Sequence, residues 1–259
     1  VSKSDILILA VPSVYLTETI DSISLNIKNK TIISAIKGIV PTENIIVGEY
    51  LNTNLNIKHK NIGVITGPCH AEEIALERLS YLTIACSNIK TVETFSNFIS
   101  CKYVKTILSD DIYGTEYSSV LKNVIAIASG ICSGLNYGDN FQAVLISNAI
   151  REIKRFVDKH RPIDRDINES AYLGDLLVTC YSKFSRNRTF GEMIGEGKSV
   201  RDSMSQLKMI VEGYHSVKCV YELNKDLNIS MPITSCVYNI LYENADVKKE
   251  INLLTKKLN

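Results

Sequence analysis

The first 110 residues alternate between short apolar segments and segments with turn or helical character, and this alternation is the strongest constraint on the fold. The first apolar segment, ILILAV at residues 6–11, has no polar position, which is typical of a strand buried on both faces of a parallel sheet. Further strands are predicted at 31–36, 61–65, 81–86 and 103–108. Helical segments are predicted at 14–25, 69–79 and 91–100, with helix or loop at 42–51. Repeated alternation of this kind predicts a doubly wound parallel sheet.

The alternation stops after Asp110, and from Gly114 onward the chain carries helical periodicity or turn signals. We therefore expect an α/β domain at residues 1–110 and an all-helical domain at residues 111–259, with the boundary near residues 109–113. A chain of 259 residues is long enough for two moderate domains.

Polar or conformationally special residues directly follow three of the predicted strands. They are Pro12-Ser13, Lys37-Gly38 and Gly67-Pro68-Cys69. Ligands of open α/β sheets bind at the carboxyl ends of the strands, so the three turns should face one crevice.

The chain has no GxGxxG segment, although a nucleotide-binding sheet usually opens with a strand, a glycine-rich turn and a helix. The sequence begins in what resembles the middle of such a sheet. We therefore expect an N-terminal portion to be missing; the alternative is a small α/β fold that is complete as it stands.

The segment from Thr115 to Phe156 predicts two helices joined by a turn at Gly134 and Gly138, with N-cap signals at Asp139 and Asn140. In the first helix, one stripe is small or hydroxylated and includes Lys122. The other members of this stripe are Thr115, Ser118, Ser119, Ala126, Ser129 and Ser133. Small side chains allow a backbone or a ligand to approach, and Lys122 would then project into the gap. The alternative is a lysine whose stem covers the core while its ammonium reaches water.

Two more segments of the helical half carry candidate groups. Asp175 lies in an apolar helix and shares a face with Thr179. Burying its charge would be costly unless a lysine paired with it. The alternative is an aspartate that faces solvent. The residues Ser185-Arg186-Asn187 place three donors at a predicted helix start, with Ser185 as the N-cap. Such a cluster suits an oxyanion or a phosphate, and the alternative is a solvated basic loop.

Composition excludes several classes of function. The 29 basic and 28 acidic residues give almost no net charge, which argues against a nucleic-acid or membrane-surface binder. No apolar run reaches transmembrane length. The seven cysteines show neither a disulfide framework nor a CxxC pattern, which predicts buried thiols in a reducing compartment. The four histidines are far apart, so no metal site is expected.

Six short segments, in this order, resemble the bacterial-type NAD(P)-dependent glycerol-3-phosphate dehydrogenases. They are Ile8 to Ser13, Ile36-Lys37-Gly38, Gly67 to Glu73, Leu121 to Val124, Gly174-Asp175-Leu176 through Ser185-Arg186-Asn187, and Val211-Glu212-Gly213. Their spacing covers almost the whole chain, which makes the resemblance specific.

The resemblance implies a partial Rossmann domain followed by a helical substrate domain, with NAD or NADP as cofactor and a small phosphate substrate. It implies a cytoplasmic homodimer that interconverts dihydroxyacetone phosphate and sn-glycerol 3-phosphate and supplies glycerol phosphate for phospholipid synthesis. Lys122 is implied as the catalytic acid and base. The implied substrate-binding residues are Lys37, Gly67, Cys69, Lys122, Asn123, Asp175, Thr179, Ser185, Arg186 and Asn187, and the implied cofactor-binding residues are Lys37, Ala71, Arg186, Ile210 and Glu212.

Ketone reduction needs a proton for the developing alkoxide and a nearby cation, and a lysine supplies both. Lys37 and a dry groove would lower the pKa of Lys122, whereas Asp175 would raise it; the sequence leaves that balance open. The chain departs from the family pattern at Cys69, where serine is usual, and at His70, where an aromatic residue is usual. Two alternatives remain: another two-domain hydroxyacid dehydrogenase, or a truncated, non-catalytic helical dimerisation module.

Overall fold

The computed structural model describes residues 1, 3–23, 27, 29–207 and 209–259. In chain order its strands are β1 (Ile6–Leu9), β2 (Thr31–Ser34), β3 (Ile39–Val40), β4 (Ile45–Ile46), β5 (Ile62–Thr66), β6 (Ser80–Cys86) and β7 (Val104–Ser109). Five of them form one sheet in the order β1–β2–β5–β6–β7, and β3 pairs with β4 in a small hairpin. The helices of this half are α1 (Leu16–Ser22), α2 (Val47–Thr53), α3 (Ala71–Ala75) and α4 (Ile89–Ile99). The predicted fold class is confirmed.

The sheet is mixed rather than wholly parallel, because β6 runs antiparallel to β5 while the other neighbouring pairs are parallel. The antiparallel direction of β6 follows from the short connection between β5 and β6. A helix of five residues spans only about 7.5 Å, whereas β5 spans about 17 Å. The short α3 therefore cannot carry the chain back along the sheet for a parallel crossover. The helix predicted at 69–79 is wrong in length, and it is followed by Glu77 in the left-handed region at φ 55°.

Other predicted elements also differ in extent. The segment at 42–51 contains β4 and the start of α2, because Asn44, at φ 55°, turns the chain between β3 and β4. The helix predicted at 14–25 is a 3₁₀ turn (Ser13–Tyr15) followed by α1; residues 24 and 25 lie outside the described residues. Burial of the first strand on both faces is wrong for Ile8, which is 55% exposed, because β1 is an edge strand of the described sheet.

After β7 the described chain is helical, as predicted. The helices are α5 (Ile112–Gly134), α6 (Asp139–His160), α7 (Asp175–Tyr181), α8 (Arg186–Gly195), α9 (Val200–Leu207), α10 (Glu212–Leu227), α11 (Pro232–Tyr242) and α12 (Val247–Thr255), with a π-turn at Ser170–Gly174. Ser185 is the N-cap of α8, as predicted, and its hydroxyl accepts from the Arg188 N–H. The N-cap of α6 is Gly138, so Asp139 lies in the first turn instead.

Helix α5 forms the centre of the helical core, with apolar residues from Val120 to Cys132 that are fully buried. It crosses α8 in direct backbone contact. A Cβ at Gly191 would lie 2.1 Å from the carbonyl oxygen of Ile127, and a Cβ at Gly130 would lie 2.0 Å from that of Arg188. A close backbone approach to α5 therefore occurs, but at Gly130, which the predicted small-residue stripe did not include.

Buried polar contacts fix the start of α5 against the rest of the chain. Asp111 caps the helix by accepting from the Gly114 N–H, and its other oxygen accepts from Arg165 and from the Tyr172 hydroxyl, each at 2.6 Å. One turn later, the carboxylate of Glu116 accepts from the Gly48 N–H at the start of α2. These contacts orient α5 relative to the sheet.

We predict that Gly191→Ala lowers the free energy of unfolding by about 2 kcal/mol or more, because the added methyl group overlaps backbone that has no room to move. The measurement is the urea midpoint followed by circular dichroism. Gly174→Ala is the matched control, since its Cβ would meet nothing closer than 3.6 Å and the backbone there is helical. Equal midpoints for Gly191→Ala and wild type would contradict the close contact.

Candidate active site

A cleft of about 660 Å³ lies between the carboxyl ends of the first strands and the helical half. Pro12, Lys37 and Cys69, one from each of the three turns, line it, so the prediction that these turns face one crevice is confirmed. The chain leaves the sheet after Leu9 and Ser34, two residues earlier than predicted. This exit lets the segments that follow the strands form the floor of the cleft.

Lys122 and Asp175 form a buried ion pair at the base of this cleft. Lys122 is 5% exposed and donates to Asp175 Oδ1, and Asp175 is 1% exposed. The pairing of this aspartate with a lysine is as predicted. Asp175 Oδ2 accepts from the Thr66 hydroxyl at 3.2 Å and from the Gly67 N–H at 3.3 Å. The carboxylate of the helical half is therefore held by the end of β5.

Burial is the main influence on Lys122 and lowers the pKa of its ammonium below the ordinary value of lysine. The charge of Lys37 lowers it further, whereas Asp175 opposes the shift. The same contacts lower the pKa of Asp175, because two lysines and the Gly67 N–H outweigh its burial. The balance that the sequence left open therefore favours a lysine able to release its proton.

Lys37 stands next to this pair but remains partly exposed to the cleft. Its Nζ lies 3.6 Å from Asp175 Oδ2 and donates to the Gly67 carbonyl oxygen at 3.4 Å. Gly67 lies behind the cleft lining and has φ of 118°, a conformation that favours glycine. Of these two residues only Lys37 lines the cleft; Gly67 contacts it from behind, so a substrate contact of Gly67 stays a prediction.

Asn123 and Asn187 form an amide chain that joins four segments. Asn123 donates to the Lys37 carbonyl oxygen at 2.8 Å, Asn187 donates to Asn123 Oδ1 at 3.0 Å, and the Gly213 N–H donates to Asn187 Oδ1 at 2.9 Å. Both residues line the cleft. Their amides are hydrogen-bonded within the protein, so they align the Lys37 turn with α5, α8 and α10.

The donor cluster predicted at residues 185–187 lies at the N-terminus of α8. Ser185 is buried, whereas Arg186 is exposed at the cleft and contacts Met209 Sδ at 3.9 Å. Among the described residues, no carboxylate pairs with Arg186. A free guanidinium beside a helix N-terminus suits a dianion.

Glu212, at the start of α10, reaches across the cleft to the first turn. Its two oxygens accept from the Ser13 N–H at 2.9 Å and from the Ser13 hydroxyl at 2.6 Å. Gly38 lies against this contact, and a Cβ there would be 2.3 Å from Glu212 Oε2. Ala71, at the start of α3, and Ile210 line the same cleft. The five residues implied for the cofactor therefore share one cavity.

The remaining implied residues also lie in the cleft. The Thr179 hydroxyl donates to the Asp175 carbonyl oxygen at 2.6 Å, which leaves an oxygen lone pair for a ligand. Burial raises the pKa of the Cys69 thiol, so it stays protonated and is only a weak donor. The imidazole of His70 lies against the ring of Phe184, with centroids 6.0 Å apart.

Part of the cleft wall consists of residues that were not predicted from the sequence. Phe184 and Met209 are about half exposed at its edge, and the partly buried Val178 of α7 lines it as well. Ala10 and Ala35 line the floor where the chain leaves β1 and β2, and their small side chains leave room there. Phe184 stands directly before the Ser185 cap, which was the one available signal; the others have no distinctive pattern.

The described part of the chain contains neither a metal-binding cluster nor a membrane-spanning helix. No group of three or more histidine, cysteine, aspartate or glutamate side chains is arranged to hold a metal ion there. None of the helices described combines the length and apolarity needed to cross a membrane. All seven cysteines are free; five are buried, Cys69 is half-buried and Cys101 is exposed.

Comparison with known proteins converges on one family. Profiles of the NAD-dependent glycerol-3-phosphate dehydrogenase N-terminus and C-terminus match residues 1–92 and 111–252. A glycerol-3-phosphate dehydrogenase (NAD(P)+) from Staphylococcus saprophyticus is 35% identical over 97% of this chain and 76% of its own length. A glycerol-3-phosphate dehydrogenase (NAD(P)+) from Pelodictyon phaeoclathratiforme is 36% identical over 100% of this chain and 78% of its own length. The crystal structure of the Coxiella burnetii glycerol-3-phosphate dehydrogenase matches with a TM-score of 0.91 at 27% identity, over 98% of this chain and 78% of that one.

Proposed function

We propose, from the premise that this chain belongs to the NAD-dependent glycerol-3-phosphate dehydrogenase family, that it reduces dihydroxyacetone phosphate to sn-glycerol 3-phosphate with Lys122 as the proton donor. The chain is an NAD(P)-dependent oxidoreductase of this family, so the two alternatives, a hydroxyacid dehydrogenase and a non-catalytic module, lose their support. The observation that carries the proposal is the buried Lys122–Asp175 pair, which lies in one cleft with Lys37 and Arg186.

The cleft fits the nicotinamide end of a dinucleotide. Small residues, Ala10, Ala35 and Ala71, leave room beside the sheet, and Glu212 presents a carboxylate that Ser13 already orients. With Lys37, Arg186 and Ile210, these residues would hold the cofactor. The cofactor supplies the hydride; the protein aligns the substrate and manages the proton.

Lys122 must release a proton in one direction of the reaction and accept one in the other. In the reduction it gives a proton to the C2 oxygen of the substrate, and in the oxidation it takes that proton back. Burial and Lys37 make the ammonium more acidic, which serves the first step. Asp175 keeps the lysine in place and limits the shift, so that Lys122 still carries a proton when a ketone binds. Lys37 adds a second cation beside the developing alkoxide.

The N-terminus of α8 supplies the phosphate contacts in this proposal. The Arg186 guanidinium lies at the cleft with no carboxylate partner among the described residues, and the first N–H groups of α8 lie beside it. We assign Ser185 and Thr179 to the same substrate side, with Cys69 at its border. Asn123 and Asn187 act by aligning the segments that bear Lys37 and Arg186.

Organisation and cellular role form the remaining part of the proposal. We divide the chain into a dinucleotide-binding domain at 1–110 and a substrate domain at 111–259, because β7 ends at Ser109 and α5 begins at Ile112. We infer from the resemblance a homodimer that supplies glycerol phosphate for phospholipids. The cytoplasm suits its seven free cysteines.

We predict that Lys122→Ala lowers kcat for dihydroxyacetone phosphate by roughly 10²- to 10⁴-fold, because the general acid is lost. Lys122→Arg should restore little, since a guanidinium hardly releases a proton. Initial rates of NADH or NADPH oxidation measure both. Retention of more than about a tenth of the wild-type rate by Lys122→Ala would show that the lysine is structural.

The pH dependence provides the control for this assignment. Reduction needs protonated Lys122, so its kcat/KM should fall as pH rises through the lowered pKa, whereas oxidation should rise through the same point. This inflection should lie below about 10.4, the value for an unperturbed lysine. It should be absent from the residual activity of Lys122→Arg.

We predict that Arg186→Ala lowers kcat/KM for dihydroxyacetone phosphate by about tenfold to a hundredfold, because a charge-assisted hydrogen bond to the phosphate is lost. Dihydroxyacetone has the same ketone and no phosphate, so its slow turnover should change far less. Arg188→Ala is the matched control: Arg188 lies on the same helix but pairs with Glu192 outside the cleft. Equal losses of kcat/KM on both substrates would contradict the assignment of Arg186 to the phosphate.

A further inference from the structure

The two oxygens of Asp175 have different surroundings. Oδ1 accepts from Lys122 alone among the described hydrogen bonds. Oδ2 accepts from Thr66 Oγ1 at 3.2 Å and from the Gly67 N–H at 3.3 Å, with Lys37 Nζ at 3.6 Å. A hydrogen bond made to Oδ2 therefore affects the charge on Oδ1, which is the oxygen that Lys122 contacts.

Thr66 is the last residue of β5 and is fully buried. It does not line the cleft, so it stands behind the carboxylate and away from the substrate. The next residue, Gly67, has φ of 118°, which aims its N–H at the same oxygen. A strand end thus supplies two donors to a side chain from α7, 109 residues further along the chain.

We propose that Thr66 is a positioning residue that sets the acid–base strength of Lys122 through Asp175. The importance of this setting for catalysis rests on the proposed function. The contact itself is a property of the fold and can be measured without turnover.

The direction of the effect follows from electrostatics. A donor on Oδ2 draws negative charge away from Oδ1 and fixes the plane of the carboxylate. Without the Thr66 hydroxyl, more charge faces the Lys122 ammonium, which stabilises its protonated form. Loss of this hydroxyl should therefore raise the pKa of Lys122.

Several other titratable or charged groups surround the pair and stay unchanged when Thr66 is altered. Beside the pair lie Lys37 after β2, Cys69 and His70 before α3, and Cys180 of α7. Further out are Glu72 and Glu73 of α3, which act on His70 and Cys69, and Arg188 of α8, which acts on Cys180. Since none of these groups is altered, a difference in the pKa of Lys122 between variants at position 66 measures the effect of the Thr66 hydroxyl.

The test is a pH titration of the Lys122 side chain by NMR in lysine-labelled protein, with Lys122→Arg used to assign the signal. Thr66→Val keeps the shape and removes the donor, and it should raise the pKa of Lys122 by about half a unit, because the lost hydrogen bond is made to Asp175 and only part of its roughly one unit reaches the lysine. Thr66→Ser should restore the wild-type value. Thr66→Cys, a weaker donor, should give an intermediate value if the valine variant folds poorly.

Thr83→Val is the matched control. Thr83 lies opposite Thr66 on β6 and is 2% exposed, and no described hydrogen bond joins its hydroxyl to Asp175. It should leave the Lys122 titration unchanged. In kinetics, Thr66→Val should shift the inflection of the reduction profile upward while the KM for dihydroxyacetone phosphate stays within about twofold, because Thr66 lies outside the cleft.

An unchanged or lowered pKa of Lys122 in Thr66→Val and Thr66→Cys would overturn the proposal, and so would an equal shift in Thr83→Val. Failure of the proposed function gives a different result, namely a wild-type protein with no turnover of dihydroxyacetone phosphate. In that case the NMR titration still decides whether Thr66 governs Lys122.

Discussion

The ion pair between Lys122 and Asp175 is the interaction on which the arrangement of the chain depends. Removing an ion from water costs on the order of several kcal/mol, so two buried charges persist only when their partners are in place. The structure provides these partners from distant parts of the chain. Lys122 comes from α5, Asp175 from α7, and the donors to Asp175 come from the end of β5. The sheet and the helices must therefore meet in one relative position.

The fold supplies that position through α5. Its start is capped by Asp111 and tied to Arg165 and Tyr172. Further along, Gly130 lets α8 approach to backbone contact, which brings the helix that begins with Arg186 next to Lys122. Asn123 and Asn187 then join α5 and α8 to the Lys37 turn. Rigid contacts thus align the proton donor, the second cation and the phosphate contact.

Much of this could be predicted from the sequence. Apolar strand segments, the loss of alternation after residue 110 and the Ser185 cap are local signals, and each has a local cause. The pairing of Asp175 with a lysine was predictable because a buried carboxylate needs a counter-charge. Strand direction was not predictable in this way: the sequence of β6 predicts a strand but not its direction, and its reversal follows from the length of α3.

Contacts between residues that are far apart in the sequence were the hardest to predict. Asn187 has the sequence character of a ligand donor, and only the structure shows both ends of its amide bonded within the protein. The Glu212–Ser13 contact joins residues 199 positions apart and leaves no pattern in either segment. Thr66 was also missed, because a threonine that ends a strand has no feature that marks it as the partner of a carboxylate.

The most direct test of this account is a crystal structure with NADH and sn-glycerol 3-phosphate, a pair that cannot react. The account predicts the C2 oxygen within about 3 Å of Lys122 Nζ, a hydrogen-bond distance, with Asp175 still held by Thr66 and the phosphate beside Arg186 at the start of α8. A C2 oxygen beyond hydrogen-bond reach of Lys122, or a phosphate bound away from α8, would contradict it.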